Sequence, residues 1–415
     1  MHSSVPDQEQ KVIKIIGIPR ELRNFFSHVC KNMSISLQIM FQLYVVGLLV
    51  AKRKERNVTD IAALLLSGQF SRSNLARLFS QYWWDHEDVL RQAVTFVMSI
   101  IKVQHGQKIY LLLDDTEIEK TGRKMAGLSK MRNHNQAYYF YGHCVVLLVL
   151  EINGIALPFD FRLYLSKQEC AKYNLRFQTK NELAAEMIKS FTPPQKTRVI
   201  LLFDCWYLNP TVIQASENKR FPYVSYLRSN RNLVLKCGRK VKVCNYAKEI
   251  NYLPVSHQPR GLTTAAECHQ ASVVLPTLGR VKLVISRSES QFGTVTEKYL
   301  VTNQLSMPMV TVVATYDRRW TIECMIRVLK QNTGLSDYQM RDLVAIVRHL
   351  YAALIAGLLL VYLQASFQNS FLCLADVRRW VEDLTVRDSL TQMIRSARRG
   401  TKSSTIMRRF VAKAW

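Results

Sequence analysis

The sequence predicts an α/β fold, and three observations indicate it. Two short apolar runs, at 107–115 and 198–204, have the composition of buried central strands, and both end in acids. Between them, two β-rich runs meet at the Asn-Gly pair 153–154, a dipeptide typical of tight hairpins. A helix follows the hairpin, because Thr179 and Glu182 have the spacing of a capping box.

The elements of this region alternate in the order strand, hairpin, helix, strand, helix, strand. After the second apolar strand we expect a helix over 209–218 and a further strand in the sequence PYVSYLRS. Residues 230 to 310 then show β-like alternation, many basic residues and little helical periodicity, which indicates an inserted β-rich subdomain. A helix near 316, two long helices and a basic tail complete the chain.

Residues 30–105 are expected to be helical, because they contain no proline and only two glycines. Within them, helix starts at Asn57 and Ser71 flank a break at 67–68. This spacing resembles a helix-turn-helix, and an ordinary helical hairpin fits it equally well. A preceding basic cluster favours the DNA-binding reading; it comprises Lys52, Arg53, Lys54 and Arg56.

These boundaries predict five segments along the chain. They are a helical N-terminal DNA-binding domain (1–105), the first part of the α/β core (106–230), the β-rich insert (231–312), the last part of the core (313–365) and a basic helical C-terminal region (366–415).

The charge balance indicates a polyanionic partner. Lysine and arginine number 57 against 31 acids, a formal net charge of +26, so nucleic acid is the first candidate and an anionic membrane the second. The longest apolar run, 351–363, is shorter than the roughly 20 residues that a bilayer span needs, and a buried core helix explains it better. We therefore expect double-stranded DNA as the partner and no membrane association.

The N-terminal sequence and the cysteines favour a cytoplasmic location. The first ten residues are polar and lack the hydrophobic segment of a signal peptide. The nine cysteines are scattered and odd in number, which suits reduced thiols.

Four acids are candidates for chemistry: Asp114 and Asp115 at one strand end, Asp204 at another, and Glu323 on the later helix. Carboxylates at the ends of neighbouring strands can converge and hold two divalent cations, for which Mg²⁺ suits oxygen ligands. Two cations would promote phosphoryl transfer on a DNA backbone. Each acid also has a structural alternative, as a loop or helix cap, or for Glu323 as an ion pair with Arg319.

The stretch from 316 to 330, YDRRWTIECMIRVLK, brings polar residues onto one face if it is a single helix. At 100° per residue, Tyr316, Arg319, Glu323 and Lys330 fall within about 60° of one another. The opposite face is apolar and suited to packing on a core; it comprises Ile322, Met325, Val328 and Leu329.

The sequence resembles the DDE transposases of bacterial insertion sequences whose last acid lies in a YxxRxxxExxxxxxK signature. The match comprises Tyr316, Arg319, Glu323 and Lys330, with Trp320 after the arginine as in several relatives. The strand ends LLLDDT and LLFDCWY look like the first and second aspartates of the family. The resemblance extends over about 107–365 and, more loosely, over the N-terminal helices.

This resemblance implies an RNase H-like core, with a mixed five-stranded sheet between helices and a β-rich insert. It further implies two Mg²⁺ or Mn²⁺ ions bound by Asp114 or Asp115, Asp204 and Glu323. The implied reaction is cut-and-paste transposition by a homodimer that pairs the terminal inverted repeats, through hairpin ends in part of the group. Nucleoid-associated bacterial cytoplasm is the implied location.

The resemblance leaves the first acid open. Successive strand residues point to opposite faces, so Asp114 and Asp115 are not expected to bind the same ions. Relatives in which the acid directly precedes threonine favour Asp115, the first choice here; relatives with one intervening residue favour Asp114. Tyr316, Arg319 and Lys330 are implied to contact phosphates. For Trp320, stacking on an unpaired base and a packing role are the two alternatives.

Two other functions compete with an active transposase. A catalytically inactive, transposase-derived DNA-binding protein would keep the basic surface without turnover. An RNase H-like nuclease would cut DNA without strand transfer. The complete signature argues against the first, and the basic tail and the insert argue against the second.

Overall fold

The computed structural model describes residues 12–15, 17–65, 70–132, 137–257, 266–289, 293–367 and 373–412. Of residues 12–13 and 407–412 it describes the backbone alone. The predicted break at 67–68 lies outside the described residues, as do the side chains of the last three basic residues of the tail.

The N-terminal region is helical, as predicted. Its elements are β1 (Val12–Ile13), α1 (Arg20–Val29), α2 (Ile35–Val50), α3 (Val58–Leu64), α4 (Arg72–Ser80) and α5 (His86–Ile101). The side chain of Asn57 caps α3 and that of Ser71 caps α4, so both predicted helix starts are confirmed. The function of this pair in DNA binding stays a prediction.

One residue of the predicted basic cluster is not available to DNA. Arg56 is buried, and its guanidinium donates to the backbone carbonyls of Ala51 and Gln331. Its charge is paired with Asp337 at 3.6 Å. Arg56 therefore holds the N-terminal helices against a later loop, whereas Lys52, Arg53 and Lys54 are exposed.

The region after the N-terminal helices alternates strands and helices in the predicted order. Its elements are β2 (Lys108–Glu119), β3 (Ser129–Arg132), β4 (Tyr139–Ile152), β5 (Ile155–Tyr164), α6 (Lys167–Lys172), α7 (Lys180–Ser190), β6 (Arg198–Phe203), α8 (Pro210–Asn218) and β7 (Tyr223–Tyr226). Asn153 and Gly154 turn the β4–β5 hairpin, and both have the positive φ, 55° and 82°, that such turns require. The capping box of Thr179 and Glu182 begins α7.

The β-rich insert is present, but it does not form a separate sheet. Its elements are β8 (Asn232–Val234), β9 (Lys240–Lys242), α9 (Val243–Tyr246), β10 (Leu253–Pro254), β11 (Glu267–Leu275), β12 (Gly279–Glu289) and β13 (Val295–Thr302). β13 pairs antiparallel with β7, and β12 and β11 follow it outward. The edge of β7 would otherwise leave backbone N–H and C=O groups unpaired, and β13 satisfies them.

Within the described residues, these strands form one mixed twelve-stranded sheet. Five neighbours, in the order β5-β4-β2-β6-β7, form one end of it, with β3 beside β5 on the outer edge of β4. β2, β6 and β7 are mutually parallel, and β4 is antiparallel to β2 and to β5. The α/β class is thereby confirmed.

The chain ends in helices. They are α10 (Met309–Asp317), α11 (Trp320–Asn332), α12 (Leu343–Ser366), α13 (Leu374–Arg398) and α14 (Ser403–Phe410), followed by β14 (Val411–Ala412), which pairs with β1. α12 is apolar and long enough to cross a membrane, yet 89% of its most apolar window is buried within the protein. It packs against α2, α5 and β5, as the predicted core helix should.

The stretch 316–330 is not one continuous helix. α10 ends at Asp317, and α11 begins at Trp320. In between, the backbone N–H groups of Arg318 and Arg319 donate to carbonyls three residues earlier, a tighter winding than the α-helix. The 100° spacing therefore fails between Tyr316 and Arg319, although it holds within α11. There, Ile322, Met325 and Leu329 are buried as predicted, and Val328 is half-buried.

Candidate active site

The sheet brings two of the predicted acids to the same level. In the parallel pairing of β2 and β6, Leu112 lies opposite Leu202. Asp114 and Asp204 each follow two residues later, so they lie at the same level of adjacent strands. Because β2 continues to Glu119, Asp114 and Asp115 lie within the strand and not, as the sequence had predicted, at its end. β6 ends just before Asp204, whose Oδ1 accepts the backbone N–H of Trp206 at 2.9 Å.

Arg319 joins Asp114 to the third acid. Its Nη1 donates to Asp114 Oδ2 at 3.0 Å, and its Nη2 contacts Glu323 Oε1 one helical turn later. Asp114 and Arg319 are 205 residues apart in sequence. The N-terminal end of α11 therefore packs over the ends of the central strands and places Glu323 beside Asp114.

The pKa values of the strand acids indicate a crowded group of carboxylates. The pKa of Asp114 is raised to about 6, mainly by burial and also by the charges of Asp204 and Asp115, against the opposing charge of Arg319. Burial also raises the pKa of Asp204, against backbone hydrogen bonds and the charge of Arg319. The charge of Arg319 therefore acts on both strand acids, and its guanidinium contacts Asp114 and Glu323 directly.

Asp115 lies in a different environment. Its Oδ2 accepts from Lys180 Nζ at 2.7 Å, and its Oδ1 accepts from the Tyr207 hydroxyl at 2.8 Å. The thiol of Cys144 is a third donor at 3.3 Å. Because successive strand residues point to opposite faces, α7, which carries Lys180, and α11 cover opposite faces of the sheet.

This geometry favours Asp114 over Asp115 as a metal ligand, the reverse of the preference drawn from sequence. Asp114 contacts the arginine that also contacts Glu323, whereas Asp115 is engaged by a cation and two other donors on the opposite face. The assignment of the ligand stays a prediction.

Tyr316 and Trp320 line a cavity beside the acids. It has a volume of about 440 Å³, and its lining includes Arg319 and Glu323. Tyr316 is largely buried, which raises the pKa of its hydroxyl. The ring of Trp320 is partly exposed, 5.9 Å from the guanidinium of Arg327.

Lys330 is separated from this group. Its Nζ donates to the backbone carbonyl of Glu117 at 2.7 Å, and burial lowers its pKa. In this structure the side chain links α11 to β2. The structure therefore does not position Lys330 for the predicted contact with phosphate.

The donors suit divalent cations, with one condition. Asp114, Asp204 and Glu323 supply only carboxylate oxygens, the ligands that Mg²⁺ prefers, and the guanidinium of Arg319 shows that positive charge is accommodated among them. Among the residues that the structure describes, no three potential ligands are close enough to form a metal cluster. Binding of a cation by all three carboxylates therefore requires them to come closer together, with Arg319 displaced from Asp114 and Glu323.

Three residues near the site were not singled out from the sequence. Lys180 and Tyr207 hold Asp115, and Trp206, 52% exposed, follows Asp204 by two residues and lies 5.4 Å from Lys180 Nζ. Lys180 is the first residue of a helix whose capping box was recognised. Its position at the N-terminal end of α7 was the feature of the sequence by which Lys180 could have been recognised.

The fold and these acids define a class of protein, an α/β protein in which acids of two adjacent parallel strands lie at the same level. The family of DDE superfamily endonucleases matches residues 35–274, more than half of the chain. The chain therefore belongs to the DDE superfamily of endonucleases. A search of curated protein sequences finds no match.

Among the solved structures similar to this chain is one described as a cryo-EM structure of the piggyBac transposase synaptic complex with hairpin DNA. The TM-score is 0.46 and the sequence identity is 12%. The alignment covers 90% of this chain and 78% of the transposase chain.

Proposed function

We propose that this protein is an active DNA transposase of a bacterial insertion sequence, from the group with the YxxRxxxExxxxxxK signature. It would cut DNA at the terminal inverted repeats of its element and join the freed ends to target DNA. The observation that supports this most is that Arg319 pairs with both Asp114 and Glu323, while Asp204 lies level with Asp114 next to the adjacent strand. Membership of the DDE endonuclease superfamily agrees with it.

In this proposal the core is RNase H-like, and Asp114, Asp204 and Glu323 hold two Mg²⁺ or Mn²⁺ ions. The ions would polarise the scissile phosphate and lower the pKa of an attacking hydroxyl. Water attacks first and releases a 3′-hydroxyl; that hydroxyl then attacks a phosphate of another strand. Each step forms one P–O bond and breaks another.

The protein's own residues position the DNA in this scheme. With ions bound by the carboxylates, Arg319 would be free to donate to a phosphate oxygen, because its planar fork suits bidentate contacts. Tyr316 donates its hydroxyl from the cavity wall, and Trp320 offers an exposed ring edge to a base at the strand end. Lys330 holds α11 against β2 through its hydrogen bond to the Glu117 carbonyl, and so it fixes the position of Glu323.

The proposal includes a homodimer that pairs two element ends, and a location with the bacterial nucleoid. The net charge of +26 supports the DNA partner. A hairpin at the cleaved ends would follow if the freed 3′-hydroxyl attacks the opposite strand.

A cleavage and joining assay distinguishes the competing functions. Purified protein is incubated with Mg²⁺, supercoiled plasmid and a labelled duplex that carries the DNA flanking its own gene. A transposase yields nicked ends and labelled joined products, whereas a nuclease yields nicks alone. If the wild type and Asp204→Ala bind the duplex equally and neither nicks it, the enzymatic proposal fails.

A further inference from the structure

A two-stranded ribbon extends the sheet beyond the acids. β3 and the start of β4 pair so that Lys130 lies opposite Tyr141, and Arg132 opposite Tyr139. Directly opposed residues share a face, so these four side chains form one surface, here called the ribbon face. All four are exposed, and Tyr139 is 62% exposed. Phe140, on the reverse side, is buried.

A cation contacts the ring of each tyrosine on the ribbon face. Lys130 Nζ lies 4.8 Å from the centroid of the Tyr139 ring, and the guanidinium of Arg123 lies 3.8 Å from that of Tyr141. Such pairs leave the cations exposed while the rings hold them in place. A nearby carboxylate, Glu119, accepts the hydroxyl of Tyr138. The surface is therefore positive and partly ordered.

The ribbon face is on the same side of the sheet as Asp114. Asp114 pairs with Leu147, and Tyr141 and Tyr139 lie six and eight residues from Leu147 along β4. Even spacing places them on one face. At about 3.4 Å per residue, the two tyrosines lie roughly 20 and 27 Å from the level of Asp114.

A basic cleft adjoins the ribbon through Arg123. It has a volume of about 910 Å³, and six basic residues line it: Arg53, Lys54, Lys120, Arg123, Lys124 and Arg341. One acid of its lining, Asp337, is already paired with Arg56 and accepts the backbone N–H of Lys54. The positive surface therefore continues from the ribbon into this cleft.

We propose that the ribbon face binds the backbone of duplex DNA about six to eight base pairs from the phosphate that is cut. This inference rests on the proposed function, because that function places the cut phosphate at Asp114. The spacing follows from 20 to 27 Å at about 3.4 Å per base pair. Lys130 and Arg132 neutralise phosphates, and the tyrosine hydroxyls donate to them. The width of a two-stranded ribbon matches the DNA major groove.

The test measures DNA binding by full-length protein that carries Asp204→Asn, so that cleavage does not interfere. Lys130→Gln with Arg132→Gln should make the slope of log K against log salt shallower by about two units, since each phosphate contact contributes about 0.9. Hydroxyl-radical footprinting should lose protection six to eight base pairs from the cut site and keep it at the site itself.

A matched control pair of cations lies at the opposite ends of the strands, away from the ribbon face. Lys108→Gln with Arg198→Gln removes two exposed cations at the starts of β2 and β6, and should leave slope and footprint unchanged. The inference is overturned if the ribbon variant keeps the wild-type slope and footprint while its thermal unfolding is normal. If the ribbon variant changes slope and footprint as expected but the protein without Asp204→Asn shows no Mg²⁺-dependent nicking, the proposed function fails and the DNA contact of the ribbon face stands.

Discussion

At the scale of the residue, Arg319 determines whether Asp114 and Glu323 are available to bind cations. Sequence spacing placed it beside Glu323 in either of two roles, a structural ion pair or a phosphate contact. The structure shows the ion pair and adds a second carboxylate, Asp114. Spacing within one helix could not reveal this second contact, because it depends on how α11 packs over β2.

Replacement of Arg319 should increase the affinity of the DNA-free protein for divalent cations. Arg319→Gln removes the positive charge that competes for Asp114 and Glu323, and we expect Mn²⁺ to bind about tenfold more tightly, equivalent to about 1.4 kcal/mol. Calorimetric titration with Mn²⁺ measures it. Arg318→Gln is the control, because Arg318 pairs with Glu151 instead. Equal affinities in both variants would contradict a competing role for Arg319.

Substitutions of the two neighbouring aspartates should have different effects on Mn²⁺ binding and on stability. Asp114→Asn should abolish Mn²⁺ binding and nicking while it leaves thermal stability near that of the wild type. Asp115→Asn should lower the free energy of unfolding by about 2 kcal/mol, because Lys180 loses its charged, partly buried partner. Denaturant unfolding and Mn²⁺ titration distinguish them. Loss of Mn²⁺ binding in Asp115→Asn alone would reverse the assignment.

At the scale of the element, sequence patterns predicted strands and helices better than their junctions. The Asn-Gly turn, the capping box and the buried strands depend on local chemistry, and each is observed. The break at Arg318 and Arg319 and the joining of β13 to β7 depend on contacts between distant segments. No periodicity within a short window contains that information.

Lys330 should behave as an anchor of α11. Lys330→Met keeps the aliphatic stem but removes the donor to the Glu117 carbonyl. We expect a loss of about 1 to 2 kcal/mol in the free energy of unfolding, because a partly buried carbonyl loses its partner. The salt dependence of DNA binding should not change. A shallower salt slope with unaltered stability would instead support the phosphate contact implied by the family signature.

At the scale of the whole molecule, the N-terminal helices and the core form one buried network. His349 on α12 accepts the hydroxyl of Tyr44 on α2 at Nδ1 and donates from Nε2 to the carbonyl of Gly334, both at 2.8 Å. This arrangement uses the neutral ring, and burial lowers its pKa to about 4. No sequence pattern indicated these hydrogen bonds, since Tyr44, Gly334 and His349 lie in three separate segments of the chain.

Acid should therefore destabilise the protein through His349. The folded state binds fewer protons than the unfolded state between about pH 6.5 and 4, so stability falls as pH decreases through this window, by about 3 kcal/mol in total. Urea unfolding at several pH values measures the loss. His349→Gln should remove this part of the pH dependence, whereas the exposed His105→Gln should keep it. An unchanged pH profile in His349→Gln would contradict the assignment.

The sequence predicted the four acids and the order of the core elements, and the family resemblance supplied a chemistry for them. It could not choose between Asp114 and Asp115, because that choice depends on which face of β2 receives α11. Nor did it single out the ribbon face, since the pairing of Lys130 with Tyr141 and of Arg132 with Tyr139 exists only in the folded hairpin.

The most direct test of the central claim is Mg²⁺-dependent nicking of a duplex that carries the DNA flanking the gene, with binding measured in parallel. Asp114→Asn, Asp204→Asn and Glu323→Gln should each bind the duplex as the wild type does and show no nicking above background. Such a result would establish one three-carboxylate site. Nicking at the wild-type rate by any of the three variants would contradict it.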